Sequence, residues 1–234
     1  MQDLVESFSG IRGIYGKGIT EQLARQYALC YCQLFQSNTA CLIVGGDSRP
    51  STPALKRAMT RTFNDFGVKR IIDVGVVPIQ VAEYSILKFK AQGGVYVSAS
   101  HNEPEYNGWK FLKGDGALLY QQQIEKLIKA VHKAQGRNQL LGSRKSRAEI
   151  INKHQEAIAN YIDFILKQLG KKAQEQIKNS KFKILADPNG GAAIVILEKI
   201  FRNLGIQAKI INNKLGEFNH LVEPNIESLA FLEK

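Results

Sequence analysis

In the stretch CLIVGGDSRPSTPALKRAMTRTFNDFGVKRIIDVG, residues 41–75, two apolar runs flank a segment with helical periodicity. CLIVGGD is an unbroken apolar run ending in glycines and an aspartate, the pattern of a strand covered on both faces. A Ser-Arg-Pro-Ser break follows, and apolar residues then recur at helical spacing as far as Gly67, a residue suited to stopping a helix. KRIIDVG is a second strand. Two strands separated by a helix are the repeating pattern of an α/β layer architecture.

The alternation continues on both sides. Upstream, Thr20 stands where an N-cap belongs, and EQLARQYALCYCQLF (21–35) carries apolar residues at helical spacing. Downstream, VPIQVAEYSILKF (77–89) is a helix with Pro78 near its first turn, GGVYVSA (93–99) a strand and QQQIEKLIKAVHKA (121–134) a helix. This is an α/β layer architecture whose strand ends carry the working loops, and it covers a first domain at 1–135. Residues 136–150 are polar and basic and read as a linker. A second unit at 151–234 opens with an amphipathic helix through Ile158, Tyr161, Ile162, Ile165 and Leu169. It continues with a strand (KFKILAD), a PNGG turn, a helix ending at Gly205 and a strand (IQAKIIN). Two good strands make a poor sheet, so this second α/β domain reads as incomplete.

Composition narrows the function. Hydrophobic residues make up 44% of the 234, enough for a real core. No apolar run approaches bilayer-spanning length, and MQDLVESFSG lacks the pattern of a signal peptide, so the chain reads as cytoplasmic with no membrane partner. Cys30, Cys32 and Cys41 lack CxxC spacing and read as reduced, buried thiols, while the four histidines are too scattered to suggest zinc. A formal charge of +11 raises the question of nucleic acid. The lysines lie along amphipathic helices without interleaved stacking aromatics, which describes solvated helix faces and argues against a nucleic-acid partner.

The chemistry concentrates in GGVYVSASHNEPEYNGWKF, residues 93–111, where a strand ends in a Ser-His-Asn cluster. Ser100 is placed to project its hydroxyl at the carboxyl edge of the sheet. No G-x-S-x-G elbow is present, and neighbours in extended chain point to opposite faces, so His101 is not expected to form a simple relay with it. Lys110 follows a turn containing Pro104, Asn107 and Gly108 that would fold its amine back towards the serine. Arg12, flanked by glycines in FSGIRGIYGKG, presents a planar guanidinium suited to phosphate. Together these parts point to phosphoryl chemistry.

SASHNEPEYNGWKF resembles the active-serine loop of the α-D-phosphohexomutases, T-A-S-H-N-P followed by P-E-Y-N-G-x-K-F. FSGIRG resembles that family's S/T-G-x-R-G, VGGDSRPST its G-x-D-x-R segment, and GEFNHLVEPN its F-P-N-H-x-P-x-P stretch. Glu103 replaces the first proline of the serine motif, and Ile79-Gln80 stand where Thr-Pro is usual. The resemblance implies a layered mixed sheet flanked by helices and an isomerase moving phosphate between the 1- and 6-positions of a glucose or mannose phosphate. Ser100 would be the phosphoserine, with His101, Lys110 and Arg12 beside it. Magnesium would bind through the phosphate on Ser100 and an Asp-Gly-Asp-x-Asp-Arg loop expected after a segment like EPNIESLAFLEK. On this reading the chain is an amino-terminal half, inactive alone and completed by carboxyl-terminal domains beyond Lys234. The alternative is a non-catalytic phosphosugar- or partner-binding module of the same fold.

Overall fold

The structure, a computed structural model, describes residues 4–37, 39–134 and 147–230. Seven strands form one mixed sheet: β1 (Leu4–Ser7), β2 (Gly10–Ile14), β3 (Cys41–Gly46), β4 (Arg70–Val76), β5 (Gly93–Val97), β6 (Tyr106–Lys113) and β7 (Glu149–Asn152). Their order is β1-β2-β6-β5-β3-β4-β7. The β5-β3-β4-β7 half is parallel and the β1-β2-β6-β5 half antiparallel. The helices are α1 (Glu21–Phe35), α2 (Thr52–Phe66), α3 (Ile79–Lys88), α4 (Gln121–Ala134), α5 (His154–Asn179), α6 (Ile194–Leu204) and the short α7 (Ile226–Leu229). Strands β8 (Lys183–Ala186) and β9 (Gln207–Ile210) pair in parallel as a separate two-stranded sheet around the α6 crossover.

Alternation along the strands assigns each side chain to one of two cores. Leu42, Val44, Ile71, Val95, Val97, Trp109 and Phe111 face α1, α2 and α4, where Tyr31 stacks on Phe111 with ring centroids 4.4 Å apart. Ile43, Ile72, Val74, Tyr96 and Leu112 face α3 and α5. The result is a three-layer α/β/α stack. Local signals work as the sequence implies: Thr20 Oγ1 accepts from Leu23 N at 3.1 Å, and Gly67 closes α2 in the left-handed region at φ 93°. Ser51 occupies the N-cap of α2 without a side-chain cap bond, because its hydroxyl instead accepts from Asn107.

Three readings change in the structure. Asn107 and Gly108, read as turn residues, lie inside β6. Asn107 is buried and spends its amide on the hydroxyls of Ser51 and Thr52, at 2.7 and 3.1 Å. Gly108 lets β2 come close: a Cβ there would sit 2.0 Å from the Ile11 carbonyl oxygen. Residues 149–150, read as the end of a linker, belong to β7, which pairs with β4 from Arg70↔Glu149 to Asp73↔Asn152. The helix after it is longer than read, with Gly170 as a non-helical break at φ 68°, and its first half packs on the first sheet through Ala157, Ile158 and Ile162. The three cysteines are free thiols, with Cys30 and Cys32 buried and Cys41 only half-buried. Among the described residues no helix is long and apolar enough to cross a membrane.

Candidate active site

The loop after β5 is held from below by a polar network rooted at the end of β3. Asp47 accepts from Arg49 N at 3.1 Å and from Thr52 Oγ1 at 2.8 Å through one oxygen, and pairs with the Arg49 guanidinium at 2.5 Å through the other. Arg49, only 4% exposed, then donates to the carbonyls of Ser100, at 3.0 Å, and Asn102. A buried guanidinium with a carboxylate on one edge and two carbonyls on the other has its charge compensated and its geometry set.

Ser100 is the residue this clamp presents. Its backbone is left-handed at φ 60°, uncommon for a residue with a Cβ, and its amide donates to Ser98 Oγ at 2.9 Å. The side chain is exposed. Because the chain is not extended here, the opposite-faces expectation fails: His101 Nδ1 lies 3.4 Å from Ser100 Oγ, a long contact on the same side. The far nitrogen of the imidazole faces Glu223 Oε2 at 3.5 Å.

Lys110 reaches the site from β6. It pairs across the sheet with Tyr96 and lies over Gly10, whose missing side chain leaves room for its stem. The amine donates to the Ser9 carbonyl. Burial pushes its pKa down, the Arg12 charge lowers it further, and Glu83 partly opposes them. Arg12 is on β2 opposite Gly108, next to the Trp109 that pairs with Ile11, so it shares a sheet face with Lys110.

Ser100, His101, Lys110 and Arg49 line one cleft of about 490 Å³, together with Asp187, Asn189, His220 and Val222 of the β8–β9 unit. Arg12 is outside that lining, and its charge lowers the Lys110 pKa. On the far wall, Asn189 at φ 44° accepts from the amides of Asn219 and His220 at 2.8 and 3.3 Å and donates to the His220 carbonyl at 2.9 Å. His220 Nε2 is 3.3 Å from Asp187 Oδ2. Reasoning from sequence assigned no site role to Arg49, Asn189 or His220 and read Asn107 only as a turn residue. The signal for Arg49 was present as a charged residue two positions after Asp47 at a strand end, but its target lies 51 residues away.

Among the described residues no three His, Cys, Asp or Glu side chains converge as a metal site. The described residues therefore do not make up the magnesium site that the family resemblance implies. What they offer is an exposed hydroxyl on a preset backbone, an imidazole beside it and a half-buried amine in the same cleft. That set suits transfer of a phosphoryl group.

Residues 6–138, more than half of the chain, match the family described as phosphoglucomutase/phosphomannomutase, alpha/beta/alpha domain I. The chain is 32% identical over 207 residues to a phosphoglucosamine mutase of Prochlorococcus marinus, covering 87% of this chain and 43% of that protein. It is 31% identical over 235 residues to a phosphoglucomutase/phosphomannomutase of Thermococcus kodakarensis, covering 96% and 48%. The crystal structure of a phosphoglucomutase/phosphomannomutase family protein from Burkholderia thailandensis shares the fold, with a TM-score of 0.68 at 23% identity over 92% of this chain and 45% of that one. The chain thus spans less than half the length of these relatives. It belongs to the phosphoglucomutase/phosphomannomutase family.

Proposed function

We propose that this chain carries the phosphoryl-transferring serine of a phosphohexomutase. Ser100 as phosphoserine hands its phosphoryl group to a hexose phosphate, and a phosphoryl group from the other end of the resulting bisphosphate returns to Ser100, so that phosphate moves between the 1- and 6-positions. In the first transfer the P–O bond to Ser100 Oγ breaks, a P–O bond to the sugar hydroxyl forms, the hydroxyl proton leaves to a base in the cleft, and the released Ser100 Oγ takes up a proton from an acid in the cleft. The observation that carries this is the exposed Ser100 hydroxyl on left-handed backbone, clamped by Arg49 and sharing one cleft with His101 and Lys110.

His101 and Lys110 are the candidates to move these protons: the imidazole by its 3.4 Å contact with Ser100 Oγ, the amine by its lowered pKa. Arg12 keeps the surroundings cationic, which opposes build-up of negative charge on the transferring group. Glucose and mannose phosphates are the proposed substrates, and the name of the Prochlorococcus relative adds glucosamine phosphate to the set. A holder for the substrate's distal phosphate and the aspartate ligands of the implied magnesium are assigned to parts of a longer protein, so the 234 residues alone are expected to be inactive.

Phosphopeptide mass spectrometry after incubation with glucose 1,6-bisphosphate tests the serine. In an active longer protein, phosphate is expected on Ser100, and Ser100→Ala should abolish both labelling and turnover. A coupled assay for glucose 6-phosphate should find no appreciable turnover by the 234-residue chain. Full activity of Ser100→Ala, or phosphate only elsewhere, overturns the proposal; tight hexose phosphate binding without label would leave the binding-module reading.

A further inference from the structure

We infer that Glu103 is a positioning residue that ties the carboxyl-terminal unit to the serine loop and so holds the width of the cleft. The inference rests on the proposed reading of the loop around Ser100 as the reacting element. Glu103 is half-buried in the loop between β5 and β6, and its Oε1 accepts from the backbone N–H of Val222 at 3.0 Å. A carboxylate accepting a backbone amide is a charge-assisted bond, stronger than its neutral counterpart. The base of the side chain is held as well, because the Glu103 carbonyl accepts from Tyr106 N at 2.9 Å.

The neighbouring contact runs the same way. Glu223, one residue after Val222, faces His101, two residues before Glu103. Between these two loop residues sits Asn102, whose carbonyl is held by Arg49. The loop end of the tether is therefore anchored to β3 through Asp47, and the other end is held by hydrogen bonds of its own. Asn189 holds the amides of Asn219 and His220, while the Glu223 carbonyl accepts from Ser228 Oγ at 2.6 Å and from Asn225 N at 2.9 Å. A bond between two rigid ends transmits position, whereas the exposed His101–Glu223 pair alone would transmit little. Ser100 and Lys110 lie on one wall of the cleft and Asn189 and His220 on the other, and the Glu103–Val222 bond bridges the walls.

Amide hydrogen exchange followed by NMR on the 234-residue chain tests the tether without requiring catalysis. Glu103→Ala is expected to lower protection of the Val222 amide by about tenfold. Core amides such as Val95 should keep theirs. Glu103→Gln, which retains an acceptor at the same reach, should restore protection; Glu103→Asp, which retains the charge but not the reach, should not. Ser100→Ala should leave Val222 protected, so the tether and the phosphoserine reading fail independently. Wild-type protection in Glu103→Ala or Glu103→Asp, or a loss in Glu103→Gln as large as in Glu103→Ala, overturns the inference. If the alanine variant does not fold, the aspartate and glutamine variants decide.

Discussion

Lys110 carries its charge in surroundings that resist it. Burial and the nearby Arg12 guanidinium both favour the neutral amine, and Glu83 opposes them, so its folded pKa lies below the ordinary 10.5. The unfolded chain therefore holds this proton more tightly than the folded one, and the stability penalty present below the folded pKa is relieved as pH rises from that value to about 10.5. Removing the like charge has a definite sign: Arg12→Ala should raise the Lys110 pKa and Glu83→Gln should lower it further. Carbon-13 NMR titration of labelled lysine side chains reads both. A Lys110 titration unmoved by Arg12→Ala would separate the two cations and remove Arg12 from the site.

At the scale of elements, the placement of Lys110 depends on the approach of β2 to β6. Trp109 packs against Tyr27 with ring centroids 5.4 Å apart on one face of β6, while Lys110 emerges on the other, so the register of β6 determines which side chain enters the cleft. Gly108 is the point of closest approach, where any side chain meets the Ile11 carbonyl. Gly108→Ala should cost about 1–3 kcal/mol by forcing the strands apart, measured by denaturant unfolding. It should also weaken the coupling between Arg12 and Lys110. A fully stable alanine variant would mean that the β2–β6 spacing is not set at this residue.

For the molecule as a whole, the first sheet is not finished at Ala134. β7 covers the edge of β4, and the first half of α5 covers α3, with Tyr84 stacked on Phe164 at 4.5 Å and Ile158 and Ile162 buried against Ile72 and Val74. A chain cut after Ala134 leaves that edge and that apolar face to water, whereas one cut after Leu169 keeps both. The shorter chain should unfold at lower temperature and bind a hydrophobic dye. Equal thermal stability of the two would show that β7 and α5 are accessory to the first sheet.

The sequence by itself determined the elements whose signals are local. The βαβ run from β3 to β4, the cap at Thr20, the stop at Gly67, and Ser100 and His101 at a strand end all follow from periodicity, capping chemistry and motif within a few residues. Tertiary structure alone decided what depends on partners distant in the chain. β7 is four mostly exposed residues that become a strand only because β4 offers an open edge, and β2 is a short glycine-flanked stretch that becomes a strand where β6 pairs with it. Asn107 and Gly108 have turn chemistry, yet they are strand residues because buried hydroxyls and a neighbouring backbone use them differently. The left-handed backbone of Ser100 is sustained by Arg49 from 51 residues away, and the cleft closes through Glu103 and Val222, 119 residues apart. Local propensity cannot encode such contacts, because their free energy arises only when the fold brings the two ends together.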